Sequence, residues 1–325
     1  MEDHKIVMLQ DELRAERRKH KAALREINRL HKDIAAYEAV SVPPSKRVIR
    51  MSRGSVKASQ ATAIVMASDW HVDELVKPST VQGRNKYNPD VAKIRSQRFW
   101  NKLVMLVERN RHDTKIENLV LILGGDFISG NIHEELLEST AMRPMEAILF
   151  VQDLLDAGIR YVKANGNFKK IVVVCKDGNH GRINQKIRHQ TRTGNSLEWA
   201  MYQNLAKHHE DVEWVIEDSY LTYYKVYSEV LRIHHGDAIR YAGGVGGLEI
   251  PMKRAYYQWN MTEPASINFM GHYHSYMPGY NTVNGSLIGY NAYAAKNKFA
   301  FQPPMQTFVL LDARLGITVH SPILV

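Results

Sequence analysis

Three short apolar runs constrain this chain more than any other feature: TAIVMAS at 62–68, NLVLILGG at 118–125 and KIVVVCKDG at 170–178. Each ends on polar residues. Runs of this length suit strands buried on both faces, which is what a parallel sheet covered by helices requires. The intervening segments repeat at helical spacing. Val91, Ile94, Phe99, Leu103, Leu106 and Val107 punctuate 89–111, and Met145, Ile148, Leu149, Leu154, Leu155 and Ile159 punctuate 141–164. Strand and helix in alternation predict an α/β layer architecture. After a helix-period stretch at 195–208 come VEWVIEDS, YLTYYKVY, VLRIHHGD, ASINFMGH, QTFVLLDA and GITVHSP, short and strand-like, which predict a second sheet packed on the first.

The chain has 325 residues, enough for one large domain with an appendage, since single cores stop growing at roughly 250–300 residues. No run approaches the roughly 18–20 apolar residues of a membrane span, and the N-terminus lacks a signal-peptide core, so a cytoplasmic protein without membrane contact is expected. Cys175 is the lone cysteine; its place in IVVVC marks a buried strand residue rather than a nucleophile. Ile6, Leu9, Leu13, Glu16, His20, Ala23, Ile27, Leu30, Ile34 and Tyr37 alternate steps of three and four, an amphipathic seam predicting a coiled coil over 1–40 and a homo-oligomer. A single helix lying on the body is the alternative. Residues 41–60 have linker composition with many basic side chains, and the main domain is expected over 61–325.

Chemistry-bearing residues fall just past the strand-like runs: Asp69 and His71, Asp126, Asn179 and His180, His234 and His235, His272 and His274. In open α/β sheets sites form beyond the carboxyl ends of strands, so these side chains can meet although they are far apart in sequence. A single Asp after a strand is most often a turn or cap residue. Taken together, carboxylates, an amide and imidazoles without thiolate form a donor set suited to Mn²⁺, Fe or Zn²⁺.

The order Asp-x-His, Gly-Asp, Gly-Asn-His, His-Gly and Gly-His-x-His, over roughly residues 62 to 320, resembles the calcineurin-like metallophosphoesterase family. Within it the chain is similar to SbcD-type and phage-encoded nucleases. The resemblance implies a four-layer α/β/β/α sandwich that hydrolyses phosphoesters by metal-hydroxide attack on phosphorus. It implies two divalent ions, Mn²⁺ first, with Fe, Zn²⁺ or Mg²⁺ as alternatives. Asp69, His71 and His274 would bind one ion, Asn179, His235 and His272 the other, and Asp126 would bridge. His180 would contact the scissile phosphate and protonate the leaving oxygen. His234 replaces His235 if the strand phase is shifted. Many family members carry an acid directly after Gly-Asn-His, where this chain has Gly181 and Arg182, so its orienting role must come from elsewhere. Asp69 is a candidate for orienting His180.

The net charge of +9 favours an anionic partner. Arg182, Lys186, Arg188 and Arg192 follow the Gly-Asn-His motif and read as a basic lip that grips substrate phosphates, or else as a solvated face. Lys46, Arg47, Arg50, Arg53 and Lys57 extend the same sign. The leading expectation is therefore a phosphodiesterase or nuclease acting on DNA or RNA. The alternative is a small-molecule (cyclic) nucleotide phosphodiesterase or phosphomonoesterase, with a protein phosphatase or a non-catalytic nucleic-acid-binding assembly protein ranked lower. Gly243, Gly244, Gly246 and Gly247 form a flexible stretch that suits a gating loop or a tight connection.

Overall fold

The computed structural model describes residues 2–40, 59–241 and 246–325. The basic residues expected in the linker, with Gly243 and Gly244, lie outside the described residues; Gly246 and Gly247 take φ of 83° and 58° in a turn. The chain divides into two compact units, Met1–Val56 and Lys57–Val325. The first holds α1 (Glu2–Val40), on which Leu13, Leu24, Ile27 and Leu30 are exposed. Among the described residues no helix is long and apolar enough to cross a membrane.

In the second unit, β1 (Ser59–Ala67) is buried from Ala61 onward because it is covered on both faces. It pairs in parallel with β2 (Thr114–Leu123), which pairs in parallel with β3 (Lys170–Cys175), and that with β4 (Glu213–Ile216). On its other side β1 pairs antiparallel with β9 (Met305–Asp312), and β9 with the edge strand β10 (Gly316–Leu324). A smaller sheet contains β5 (Thr222–Val226), β6 (Glu229–Ile233), β7 (Ile267–Met270) and β8 (Asn281–Val283) in that order, the last three parallel.

Side-chain alternation sorts the core into layers. Ala63, Val65, Leu119, Leu121, Val173, Cys175, Phe308 and Leu310 form one cluster with apolar residues of α2 (Pro89–Asn110), α4 (Pro144–Asn165) and α5 (Leu197–His208). Their sequence neighbours Ile64, Met66, Val120, Ile122, Val172, Val174, Val309 and Leu311 form another with Val226, Leu231, Ile233, Ile267 and Phe269 of the second sheet. The period of two puts alternate side chains on opposite faces, so runs that read as continuously apolar serve two cores at once. Cys175 is a buried core residue, and burial pushes its thiol well above the usual range. A third cluster joins Met252 and Tyr256 of α6 (Glu249–Asn260) to Met270, Tyr273 and Val283.

Local signals set the helix starts. Asn88 accepts from Val91 N at 2.9 Å with Pro89 following, and Ser196 accepts from Trp199 N at 3.3 Å. Two short helices, α3 (Glu134–Ser139) and α7 (Ala292–Lys296), lie in the loops after β2 and β8. Sequence spacing signalled neither of them, nor α6, because α3 and α7 span less than two turns and the apolar stripe of α6 is interrupted.

His320 on β10 accepts a hydrogen bond from Gly279 N at 2.9 Å, and burial lowers its pKa to about 4. A folded-state pKa below the unfolded value near 6.5 means that its stabilisation is complete above that value and is lost as pH falls through it. The thermal midpoint should therefore fall between pH 6.5 and about 4. His320→Gln, which can still accept but does not titrate, should flatten part of that slope in a calorimetric pH series.

Candidate metal centre

Every candidate ligand lies just past the carboxyl end of a strand. Asp69 and His71 follow β1, Asp126 follows β2, Asn179 follows β3, His235 follows β6, and His272 with His274 follow β7. Because β1, β2 and β3 run parallel in one sheet and β6 and β7 in the other, their loops collect at one end. Backbone bonds lock them together: Asp69 N donates to Gly125 O at 2.9 Å, His71 N to Asp126 O at 3.2 Å, and Gly271 N to His235 O at 2.8 Å. The second and third loops touch where neither has room for a side chain. A Cβ on Gly125 would lie 2.2 Å from Gly178 N, and one on Gly178 would lie 2.0 Å from Asp126 Oδ1.

Two groups of donors result, Asp69, His71 and His274, then Asp126, His235 and His272; within each the ligand atoms lie within 4.8 Å of one another. Asn179 joins the second, its Oδ1 3.2 Å from His235 Nε2. Asp69, His71, Asp126, His272 and His274 all take positive φ, between 47° and 69°. Such left-handed backbone costs a non-glycine residue about 1–3 kcal/mol and persists only where surrounding contacts enforce it. Its concentration on these five residues turns Asp69, His71 and His274 toward one donor group and Asp126 and His272 toward the other.

The outward ring nitrogens are fixed by neighbours. His235 Nδ1–H donates to Gly124 O at 2.8 Å, leaving Nε2 at 2.9 Å from Asp126 Oδ2. His71 Nδ1 lies 3.0 Å from Ser129 Oγ, whose hydroxyl donates to Glu74 at 3.2 Å, and Glu74 accepts from Asn291 at 3.0 Å. This leaves His71 Nε2 at 3.2 Å from His274 Nε2, which stands 3.4 Å from Asp69 Oδ1. Two donors bound to one ion at about 2.0–2.2 Å lie roughly 2.9–3.5 Å apart. The observed separations match that spacing, and the donor types suit a divalent cation, so the residues fit two metal ions.

Electrostatics agree. Burial alone would push the His235 imidazole down, but the adjoining Asp126 carboxylate more than reverses this and carries it up to about 10. Burial lowers His272 to about 4 and holds His71 well below the usual imidazole range. The Asp126 carboxylate thus attracts positive charge at Nε2 of His235, while His71 and His272 keep their imidazole lone pairs free.

His180 sits beside both groups. Its backbone N donates to Asp126 Oδ1 at 2.8 Å, its Nδ1–H donates to Ser129 O at 2.8 Å, and its ring stands edge-on to His71. The orienting partner is thus Ser129 and not Asp69, whose carboxylate accepts from Ser68 Oγ and His272 N. His180, His71, Asp126, Asn179, His272 and His274 line a cleft of about 680 Å³ that also includes Glu74, Glu135 and Lys296.

The expected basic lip divides. Arg182 donates to the carbonyls of Asn179, Asn184 and Gln185. Arg192 is 13% exposed, paired with Asp177 at 2.8 Å and Asp237 at 2.9 Å, and its guanidinium lies over the Tyr220 ring. Each guanidinium commits three hydrogen bonds to the protein, so both side chains hold their own loops closed. Lys186 and Arg188 remain exposed in a shallow pocket beside Asn179. His234 points away from the metal groups into an apolar box of Tyr220, Tyr256 and Trp259, so His235 is the histidine that faces Asp126.

Sequence reasoning missed Ser129, Glu74 and Asn291, and also Glu198, which is buried and accepts from Phe127 N at 2.6 Å and Gly178 N at 2.7 Å. Burial and the nearby Asp126 charge push its carboxyl up to about 8. The one available signal was the missing acid at Gly181, which says that a carboxylate is owed and not where it comes from.

No protein-family model and no curated protein matches the chain. Similar solved structures include the phosphoesterase Yfce from E. coli, 13% identical over 80% of this chain and 99% of that one, TM-score 0.31. Zinc-bound Vps29 from Entamoeba histolytica is 9% identical over 80% of this chain and 99% of that one, TM-score 0.31. A conserved Streptococcus pneumoniae protein named as a predicted phosphoesterase is 12% identical over 81% and 97%, TM-score 0.30. Likenesses this distant bear no functional weight.

Arg192→Ala would leave Asp177 and Asp237 buried without their partner, a change that typically costs about 3–5 kcal/mol. Denaturant unfolding should show a loss of that order, whereas a residue serving only to grip substrate would leave the midpoint in place.

Proposed function

We propose that this chain is a dinuclear-metal phosphoesterase of the calcineurin-like type. The observation that carries the reading is the pair of adjoining donor groups, spaced as the donors around two divalent cations are. Asp69, His71 and His274 would hold one ion and Asn179, His235 and His272 the other, with Asp126 between them. Bound there, the ions would supply Lewis-acid neutralisation of phosphate charge and an acidified water. Hydrolysis breaks the P–O bond to the leaving group, and the departing oxygen needs a proton. His180 is the group to give it, because Nδ1 is committed to Ser129 O and Nε2 is left for the cleft. The four-layer α/β/β/α reading is supported by the cluster shared between the two sheets and by helices on the outer face of each.

For the substrate, a phosphodiester of DNA or RNA is favoured by the net charge of +9 and by Lys186 and Arg188 exposed beside Asn179. A small (cyclic) nucleotide is the second reading, favoured by a cleft of about 680 Å³ with Glu135 in its lining, which suits a compact ligand more than a long polyanion. The seam of α1, with Leu13, Ile27 and Leu30 exposed, supports a homo-oligomer through this helix.

Incubation with Mn²⁺ and a panel of labelled DNA, RNA and small phosphodiesters tests the activity, and His180→Ala should lower kcat by about 10²–10⁴. Lys186→Ala/Arg188→Ala should flatten the salt dependence on DNA; turnover of small esters alone would remove the nuclease reading. Deleting residues 1–45 should reduce the mass seen by light scattering to that of a monomer; an unchanged oligomer would refute the helical contact.

A further inference from the structure

Glu198 is the second residue of α5, and its side chain is fully buried. Among the described residues no cationic side chain pairs with it. Its partners are two backbone N–H groups, Phe127 N on Oε1 and Gly178 N on Oε2. Burying a carboxylate without a countercharge is costly, and a core glutamine or leucine would spare that cost. The placement of its two partners explains why it is there. Phe127 directly follows Asp126, and Gly178 directly precedes Asn179. One side chain therefore spans the two ligand-bearing loops at the point where Gly125 and Gly178 bring their backbones into contact. His180 hangs from the same junction through its bond to Asp126 Oδ1.

The neighbouring loop is shaped to admit this side chain. A Cβ built on Gly181 would lie 2.7 Å from Glu198 Cγ and 3.0 Å from its Cδ, so the carboxyl group fills the space that a side chain at 181 would enter. Leu197 N donates to Gly181 O at 2.9 Å, which pins the start of α5 against the His180 loop. Gly181 does not take a positive φ, so its backbone accepts other residues once Glu198 is out of the way.

We infer that Glu198 is a positioning residue for the proposed metal centre: reaching in from α5, it holds Asp126, Asn179 and His180 in register, and its carboxylate can be supplied equally well from position 181. The inference rests on the dinuclear reading above, and metal binding to the full-length chain tests it without using activity.

Mn²⁺ binding to the metal-free protein is measured by calorimetry for the wild type, Glu198→Gln, Glu198→Ala and the relocated pair Glu198→Ala/Gly181→Glu, with circular dichroism to follow the fold. Loss of a group that orients ligands typically weakens metal affinity 10- to 100-fold. That loss is expected in both single variants, since an amide presents N–H to a backbone N–H and alanine leaves both donors bare. The relocated pair should recover most of the affinity, which a purely space-filling role would not produce. Folded single variants that bind Mn²⁺ like the wild type would overturn the inference. So would a relocated pair that folds and binds no better than Glu198→Ala, including the case in which Glu198→Ala alone fails to fold. A wild-type protein that takes up no Mn²⁺ would instead sink the dinuclear reading, and this inference with it.

Discussion

Negative charge held out of water at the ends of β1 and β2 is the constraint around which the site is organised. Asp69 and Asp126 are buried, and a carboxylate so placed must be met by hydrogen bonds, protons or a cation. Backbone N–H groups of His272 and His180 answer part of that demand, and the His235 imidazole, carried up to about 10 beside Asp126, answers more. The His71 and His272 imidazoles are instead kept low by burial. A site that gathers acids while discouraging protons on two of its histidines is one that favours divalent cations.

That arrangement requires backbone strain, and the fold is built to sustain it. Five left-handed ligand-candidate residues sit on loops whose ends are anchored in strands buried on both faces. The strands bear the load because their alternate side chains fill separate cores, one beneath the helices and one between the sheets. The glycines at 125 and 178 then allow two loops to approach more closely than any Cβ permits. Strain, rigid anchorage and close approach are thus one device, and the common result is that donors from five strands reach a small volume.

Much of this was legible from residues alone. The strand runs, the helix spacing at 89–111 and 141–164, and the polar residues past each run are local patterns, and local patterns survive translation into structure. Arg182 and Arg192 show what such reading leaves out. As a cationic run they look like a phosphate-binding lip, but Asp177 and Asp237, the latter 45 positions from Arg192, claim one guanidinium, and three carbonyls claim the other. Charge in a sequence states what a side chain carries and not whether a partner already holds it. The choice between His234 and His235 failed to resolve for a related reason, since adjacent strand residues face opposite ways and only the sheet says which way is inward.

The sequence by itself determined the α/β character and the chemical types available at the strand ends, because both follow from periodicity and from residue identity at a few positions. Tertiary structure alone decided which of those groups meet: Ser129 behind His71 and His180, Glu74 behind Ser129, and Glu198 arriving from a helix to bind two loops. These partnerships join residues 20 to 71 positions apart. They depend on where a folded backbone aims its N–H and carbonyl groups, which no spacing of side chains along a chain records.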